Sequence, residues 1–369
     1  MKINKIYIDQ AVADYPVTIE IIRRMKHKHF EYVADTESVF RLINAFEDPE
    51  SAGKRSLLLT LNKGHFVRKC PGTTHYTCCN YHILHIGSYC SMDCSYCILQ
   101  AYFHPPLLTF FVNHEEMKKS LEGVFFKSEI CRVGTGEFTD SMIWENVYPI
   151  ASKLVRMFAG RRNAVLELKT KTSEITSLLG LKHQGNTIMS WSLNTPRVIR
   201  EQERRTAFLN DRISAAAACQ SVGYPLAFHF DPLFWYEGCE AEYNQVIEKL
   251  FSRIDPAGIA WISLGSFRYM PQLSEIIERR FPGSNIIYGE FIRGLDSKMR
   301  YFKPLRIRLY QSIVTKIKEM APDVILYFCM EDDEVWYSVL GYTPSEYGGV
   351  SAILDRSATR HCKLRPVSV

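Results

Sequence analysis

The stretch HILHIGSYCSMDCSYCILQ, residues 82–100, runs from a short apolar segment straight into three closely spaced cysteines. Its first six residues, HILHIG (82–87), read as a strand. Beyond it, short apolar runs alternate with helical patterns: EICRVG (129–134), AVLELK (164–169), IMSWSL (188–193), PLAFHFD (225–231) and IAWISLG (259–265) are the further strand candidates. The helical pattern is clearest in VYPIASKLVRMF, RISAAAACQSVG and AEYNQVIEKLF. Six βα repeats predict an α/β fold, a partial (β/α)6 TIM-type barrel with its active residues at the C-terminal strand ends.

The barrel core is expected over residues 83–280, after a smaller N-terminal domain (1–82) that holds a helical stretch, TIEIIRRM. Residues 281–369 form a C-terminal extension, with a strand pair in NIIYGEF and the MRYFKP region, a helix in LRIRLYQSIVTKIKEM and a strand in VILYFC. The chain has 369 residues, 46% of them apolar, enough for a large core. It has no uninterrupted apolar run of about 18 residues and no secretory h-region, so no membrane span and a cytoplasmic location are expected. Eleven scattered cysteines then serve metal ligation, chemistry or burial. A net charge of +5 permits nucleic-acid binding without requiring it.

Cys90, Cys94 and Cys97 have the spacing C-x3-C-x2-C. Three thiolates on one loop can hold three irons of a [4Fe-4S] cluster and leave the fourth iron open. Zinc would ask for a fourth ligand nearby, and the loop supplies none. A cluster loop after the first barrel strand resembles the radical S-adenosylmethionine (SAM) enzymes, in which Tyr96 would sit next to adenine. In such enzymes SAM chelates the open iron and is cleaved to methionine and a 5′-deoxyadenosyl radical, which the protein must shield and aim.

The segments CSMDCSYCILQ, RVGTGEFTD, LELKTKT, LKHQGNT with SWSLN, RISAAAACQSVGYPLAF, YEGCEAEY and MRYFKP together resemble the spore photoproduct lyase family, in the family's order and over more than half the chain. The resemblance implies a radical SAM lyase that reverses a methylene-bridged thymine dimer in DNA. It places Tyr96, Thr139, Lys171, Ser192 and Asn194 around SAM. It also places Arg300 and Tyr301 on a hairpin beside the lesion, with Lys303, Arg306 and Arg308 as a basic extension or a solvated helix start. Lesion-bearing DNA and a flavodoxin- or ferredoxin-type electron donor are the implied partners.

One position departs from the family. Where the lyases carry the cysteine that returns hydrogen to the substrate radical, an ungapped match sets Glu137, whose O–H is too strong for that task. Cys131 or Cys329 would then donate, although Cys131 lies six residues earlier, about 20 Å along a strand. Alternatively, Gly134-Thr135-Gly136-Glu137 is the segment that binds the SAM amino group, and the substrate is a modified nucleoside or a peptide. A non-enzymatic iron–sulfur or zinc protein that binds nucleic acid is the third reading. His229 and Asp231 either face the site or close their strand before Pro232. Cys70, Cys78 and Cys79 could join Cys239 or Cys362 in an auxiliary metal site. The MEDDEVW run reads as a helix start.

Overall fold

The computed structural model describes residues 2–72 and 76–365. Among them, eight strands form one sheet in the order Leu326–Phe328, Ile259–Ser266, Leu226–Leu233, Thr187–Ser192, Ala164–Thr170, Cys131–Gly134, His82–Leu84 and Val67–Lys69. All neighbours pair parallel except the last, which runs antiparallel to His82–Leu84. Each of the six apolar runs supplies one strand, in chain order, with helices such as Ile150–Phe158, Leu209–Ser221 and Cys239–Phe251 between them. Ile259–Ser266 is buried at all eight positions, which is why its sequence reads as a continuous apolar run instead of alternating. The architecture is the expected partial barrel, and VILYFC extends it by a seventh parallel strand.

A second sheet was not legible. Lys5–Asp9 lies between His29–Val33 and Ser56–Thr60, all parallel, and Leu108–Phe111 pairs parallel with Ser56–Thr60. Gly87–Ser88 then pairs antiparallel with Leu108–Phe111. The cysteine loop thus leaves the barrel, touches the second sheet, and returns through it. Gly87 is needed at this crossing, because a Cβ there would lie 2.5 Å from Thr109 O. The stretch TIEIIRRM falls in the helix Pro16–Arg24, which covers this sheet with buried Val17 and Ile21.

In the C-terminal part, Arg268–Tyr269, Met299–Tyr301 and Phe291–Arg293 form an antiparallel three-stranded ribbon. The strand begins at Phe291, the last residue of NIIYGEF, so the expected position is corrected towards the C-terminus. Lys303–Met320 is the expected long helix. The acidic run starts the helix Asp333–Leu340, where Asp332 accepts from Val335 N–H at 3.1 Å. Among the described residues, no helix is long and apolar enough to cross a membrane.

Candidate active site

A cavity of about 460 Å³ opens at the C-terminal ends of the barrel strands. Its wall brings together Cys90, Cys94, Cys97, Tyr96, Glu137, Thr139, Lys171 and Ser192, drawn from four successive strand ends. The three thiols are free of disulfides. Burial pushes Cys90 up to about 12 and Cys94 higher still, so their ionisation needs a positive partner of the kind a metal cluster provides.

Charged and amide side chains hold the cysteine loop from below. Lys54, 1% exposed, donates to Cys90 O at 3.0 Å and Met92 O at 2.6 Å and stands 3.7 Å from Asp93. Gln100 Nε2 donates to Cys94 O, Ser95 O and Cys97 O at 3.1 to 3.4 Å. Ser95 is fastened twice to Gln202, its N–H donating to the backbone carbonyl and its hydroxyl to Oε1. Arg280 pairs with Asp93 at 3.1 Å and Asp48 at 3.0 Å. Backbone carbonyls turned into protein in this way leave the sulfurs facing the cavity.

The expected SAM side is equally fixed. Tyr96 donates to Glu203, which is paired with fully buried Arg212 at 2.5 Å, and Arg212 also donates to Ser192 O at 2.9 Å. Burial opposes the Glu203 charge, but Arg212 and Lys171 outweigh it and keep its pKa low. The Lys171 ammonium lies 5.6 Å from the centre of the Tyr96 ring. Asp140 fastens this end of the site: it accepts from Lys171 N–H, Thr170 Oγ1 and Met142 N–H at 2.8 to 2.9 Å. Burial nevertheless raises its pKa.

The cavity is also lined by Lys169, Asp231, Arg268 and Cys329, together with Cys70, Cys78 and Cys79. Burial disfavours the Lys169 charge, but Glu137, Glu167 and Asp231 hold its pKa above the usual lysine value. Asp231 pairs with Arg268 at 3.2 Å. Burial pushes Cys329 up to about 11, and its sulfur accepts from Arg268 Nη2 at 3.4 Å.

Several sequence candidates fall elsewhere. Asn194 is 1% exposed and off the wall: its amide donates to Pro232 O at 2.9 Å and accepts from Tyr243 OH at 2.8 Å. Arg300 is also 1% exposed, bonded to Asp296 at 2.6 Å and Met330 O at 3.2 Å. Tyr301 stacks on Phe291 and accepts from Trp235 N–H at 3.2 Å. Both are buried within the ribbon. Lys303, Arg306 and Arg308 are each ion-paired, with Asp332, Glu331 and Glu240 respectively. His229 lies inside the barrel between Glu167 at 2.8 Å and Ser263 at 2.7 Å.

Cys131 is fully buried away from the cavity, which leaves Cys329 as the member of that pair on the wall. Cys239 and Cys362 are buried on helices outside it, so the auxiliary grouping proposed with Cys70, Cys78 and Cys79 is not assembled. Among the described residues, no three His, Cys, Asp or Glu side chains converge on one point as ligands of a single ion. A cluster makes no such demand, since each thiolate binds its own iron. Lys54, Gln100, Glu203, Arg212 and Arg280 were missed from sequence. The one available signal was a charged or amide residue inside an otherwise apolar segment, as with Arg212 before ISAAAAC.

The comparisons with known proteins converge. A spore photoproduct lyase from Clostridium acetobutylicum is 24% identical over 306 residues, covering 81% of this chain and 87% of that protein. One from Bacillus subtilis is 27% identical over 237 residues, covering 63% and 67%. Solved structures of a spore photoproduct lyase mutant with dinucleoside spore photoproduct (TM-score 0.80, 19% identity) and of another with bound AdoMet and the same dinucleoside (TM-score 0.76, 18% identity) share the fold. Each covers 89% of this chain and 99% of its own. The family model described as spore photoproduct lyase matches residues 1–316. A barrel with this cavity and a family match over most of its length lead to one conclusion: the chain belongs to the spore photoproduct lyase family.

Proposed function

We propose that this chain is a radical SAM lyase that splits a thymine-dimer lesion in DNA. One observation carries the reading: a single cavity wall joins Cys90, Cys94 and Cys97 to Tyr96, Thr139, Lys171 and Ser192, the residues that the family resemblance sets around SAM. Three free thiols on one clamped loop, Cys90 and Cys94 buried and Cys97 half-buried, suit a [4Fe-4S] cluster with an open iron. When bound, the cluster supplies an electron to SAM, whose cleavage provides the 5′-deoxyadenosyl radical.

The protein's own groups do the positioning. Lys171 would neutralise the SAM carboxylate, Ser192 and Thr139 would offer hydroxyls to polar groups of the cofactor, and Tyr96, held in place by Glu203, would present an aromatic face. Glu137, on the same cavity, would accept from the SAM amino group and would not serve as a hydrogen-atom donor. Asn194 and Arg212 support this shell from behind.

On the DNA side, the ribbon leaves Ile292 46% and Leu295 72% exposed, with Arg293 between them. An apolar wedge beside a cation suits insertion at a distorted base step. Arg300 and Tyr301 brace that ribbon. Tyr102 and Phe138, stacked at 5.9 Å on the cavity wall, offer a platform for an extruded base. A flavodoxin- or ferredoxin-type protein supplies electrons, and eleven cysteines suit a reducing cytoplasm.

Anaerobic reconstitution with iron, sulfide, SAM and a reductant, followed by addition of dinucleoside spore photoproduct, tests the reading. Release of two thymidines with formation of 5′-deoxyadenosine or turnover of SAM is expected. SAM cleavage with an intact lesion would point to another substrate, and no cleavage by a fully loaded protein would end the enzymatic reading.

A further inference from the structure

The connection from the helix Pro16–Arg24 to the strand His29–Val33 reads RRMKHKH, residues 23–29, with two arginines, two lysines and two histidines in seven positions. Arg23 and Arg24 close the helix, where cations suit the negative end of its dipole, and Arg24 pairs with Glu20 at 3.1 Å. The run continues beyond that need. Lys26 and His27 are exposed and Lys28 is half-buried. Among the described residues, neither lysine forms an ion pair.

Strand register sets this turn beside the cysteine loop. His29 pairs with Lys5, and Lys5 in turn with Ser56, so the starts of three parallel strands lie side by side. At about 4.8 Å per strand, His29 and Ser56 are about 10 Å apart. Lys54, two residues before Ser56, is the ammonium that donates to Cys90 O and Met92 O. Its neighbour Arg55 is exposed, and the Arg55 carbonyl accepts from Asn4 N–H at 2.8 Å. Lys2, just before the first of these strands, is exposed as well. The carboxylates at the preceding helix, Asp48 and Glu50, are already paired with Arg280 and Arg279.

On the lyase reading, on which this inference rests, SAM and the lesion occupy the cavity side of the loop. The electron that each SAM cleavage needs must therefore enter from behind, where Cys90 and Met92 rest on Lys54 and the next residue is at the surface. We infer that Lys2, Lys26, His27, Lys28 and Arg55 form the docking surface for the electron donor, a carrier protein with an acidic face around a low-potential flavin or iron–sulfur group. The carrier is oxidised by one electron, which passes to the cluster, and no bond forms or breaks. Clustered cations raise the encounter rate with an acidic partner by about 10- to 1,000-fold at low salt, and screening removes the gain. Duplex DNA is also drawn to cations, but a lesion in the cavity lies on the sulfur side of the loop, whereas this edge lies on its carbonyl side.

The test compares Lys26→Glu/Lys28→Glu with the parent and with Lys182→Glu/Lys249→Glu, which has the same net charge and alters exposed lysines of the barrel. An acidic flavodoxin is the probe. Calorimetry at low salt measures its Kd for the full chain with and without iron, and stopped-flow absorbance without SAM follows cluster reduction by its hydroquinone. In the first variant binding and reduction should both weaken about tenfold or more, and the parent should approach it as salt rises. Dithionite, which needs no docking, should reduce both alike and so show that the variant is folded and loaded. Equal flavodoxin binding by parent and variant, or an equal loss in the barrel variant, would overturn the docking surface. So would weaker binding of duplex DNA with flavodoxin binding intact, which would make the edge a phosphate track. The lyase reading fails separately, if dithionite and SAM yield no 5′-deoxyadenosine from the loaded parent. The flavodoxin measurements, made without SAM, still decide the docking surface in that event.

Discussion

Replacing Lys54 with methionine should weaken both the fold and the metal loading of a loop more than thirty residues away in sequence. The substitution keeps a long flexible side chain and removes the ammonium that holds Cys90 O and Met92 O at 3.0 and 2.6 Å. Each charge-assisted hydrogen bond contributes about 1.5–3 kcal/mol. Relief from burying a charge offsets part of this. Asp93 keeps Arg280 at 3.1 Å and is not left alone. The net loss should be about 3–5 kcal/mol, the range for breaking a buried charged contact. For 369 residues melting together, the transition entropy is roughly 0.8 kcal/mol/K, so the midpoint should fall by about 5 °C. Circular dichroism melts of the metal-free protein measure the first effect, and iron per chain after reconstitution measures the second, which should also drop. A variant that melts within about 1 °C of the parent and loads the same iron would show that the loop sets its own shape.

Lys171→Gln should weaken SAM binding to the reconstituted protein by about tenfold or more through loss of a charged partner, read by equilibrium dialysis, with little change in iron content. Asn194→Ala should instead cost about 1–3 kcal/mol of stability in urea melts, because it leaves Pro232 O and Tyr243 OH unpaired, and SAM affinity should hold. Glu167 is buried, which alone would raise its pKa, but the hydrogen bond and charge of His229 and the Ser190 hydroxyl bring it to about 2 from an ordinary 4.5. As pH falls the unfolded chain takes this proton first, so about 3 kcal/mol of stability should be present above pH 4.5 and vanish towards pH 2. Glu167→Gln should flatten that part of a stability-against-pH curve.

How much of this could be read from the residues depended on distance along the chain. The barrel was legible because each parallel strand, buried on both faces, writes its own apolar run. HILHIG overshot only because Gly87 and Ser88 turn to the other sheet after Leu84. The N-terminal sheet was hidden in strands of five residues, such as KIYID and HFEYV, whose half-exposed pattern carries little signal alone. The cysteine loop and the strand-end residues that share its cavity could be found, since motif and strand end coincide. Arg300 and Tyr301 were located on a ribbon correctly, but the direction a side chain faces there depends on pairing with Arg268 and Ile292, which no local pattern reports. Likewise, nothing near Cys70 in sequence announces Cys329, because a sheet edge and a returning C-terminal strand bring them to one wall.

The crossing at Gly87 has a further consequence. Strands of the N-terminal sheet flank the cysteine loop on both sides, Gly87–Ser88 entering it and Leu108–Phe111 leaving it. A shortened chain starting at the barrel would lack the sheet that anchors its own reactive loop on either side. The two halves therefore could not be exchanged between proteins as separate modules, and iron insertion during biosynthesis would have to wait until both sheets had closed around residues 87 to 111.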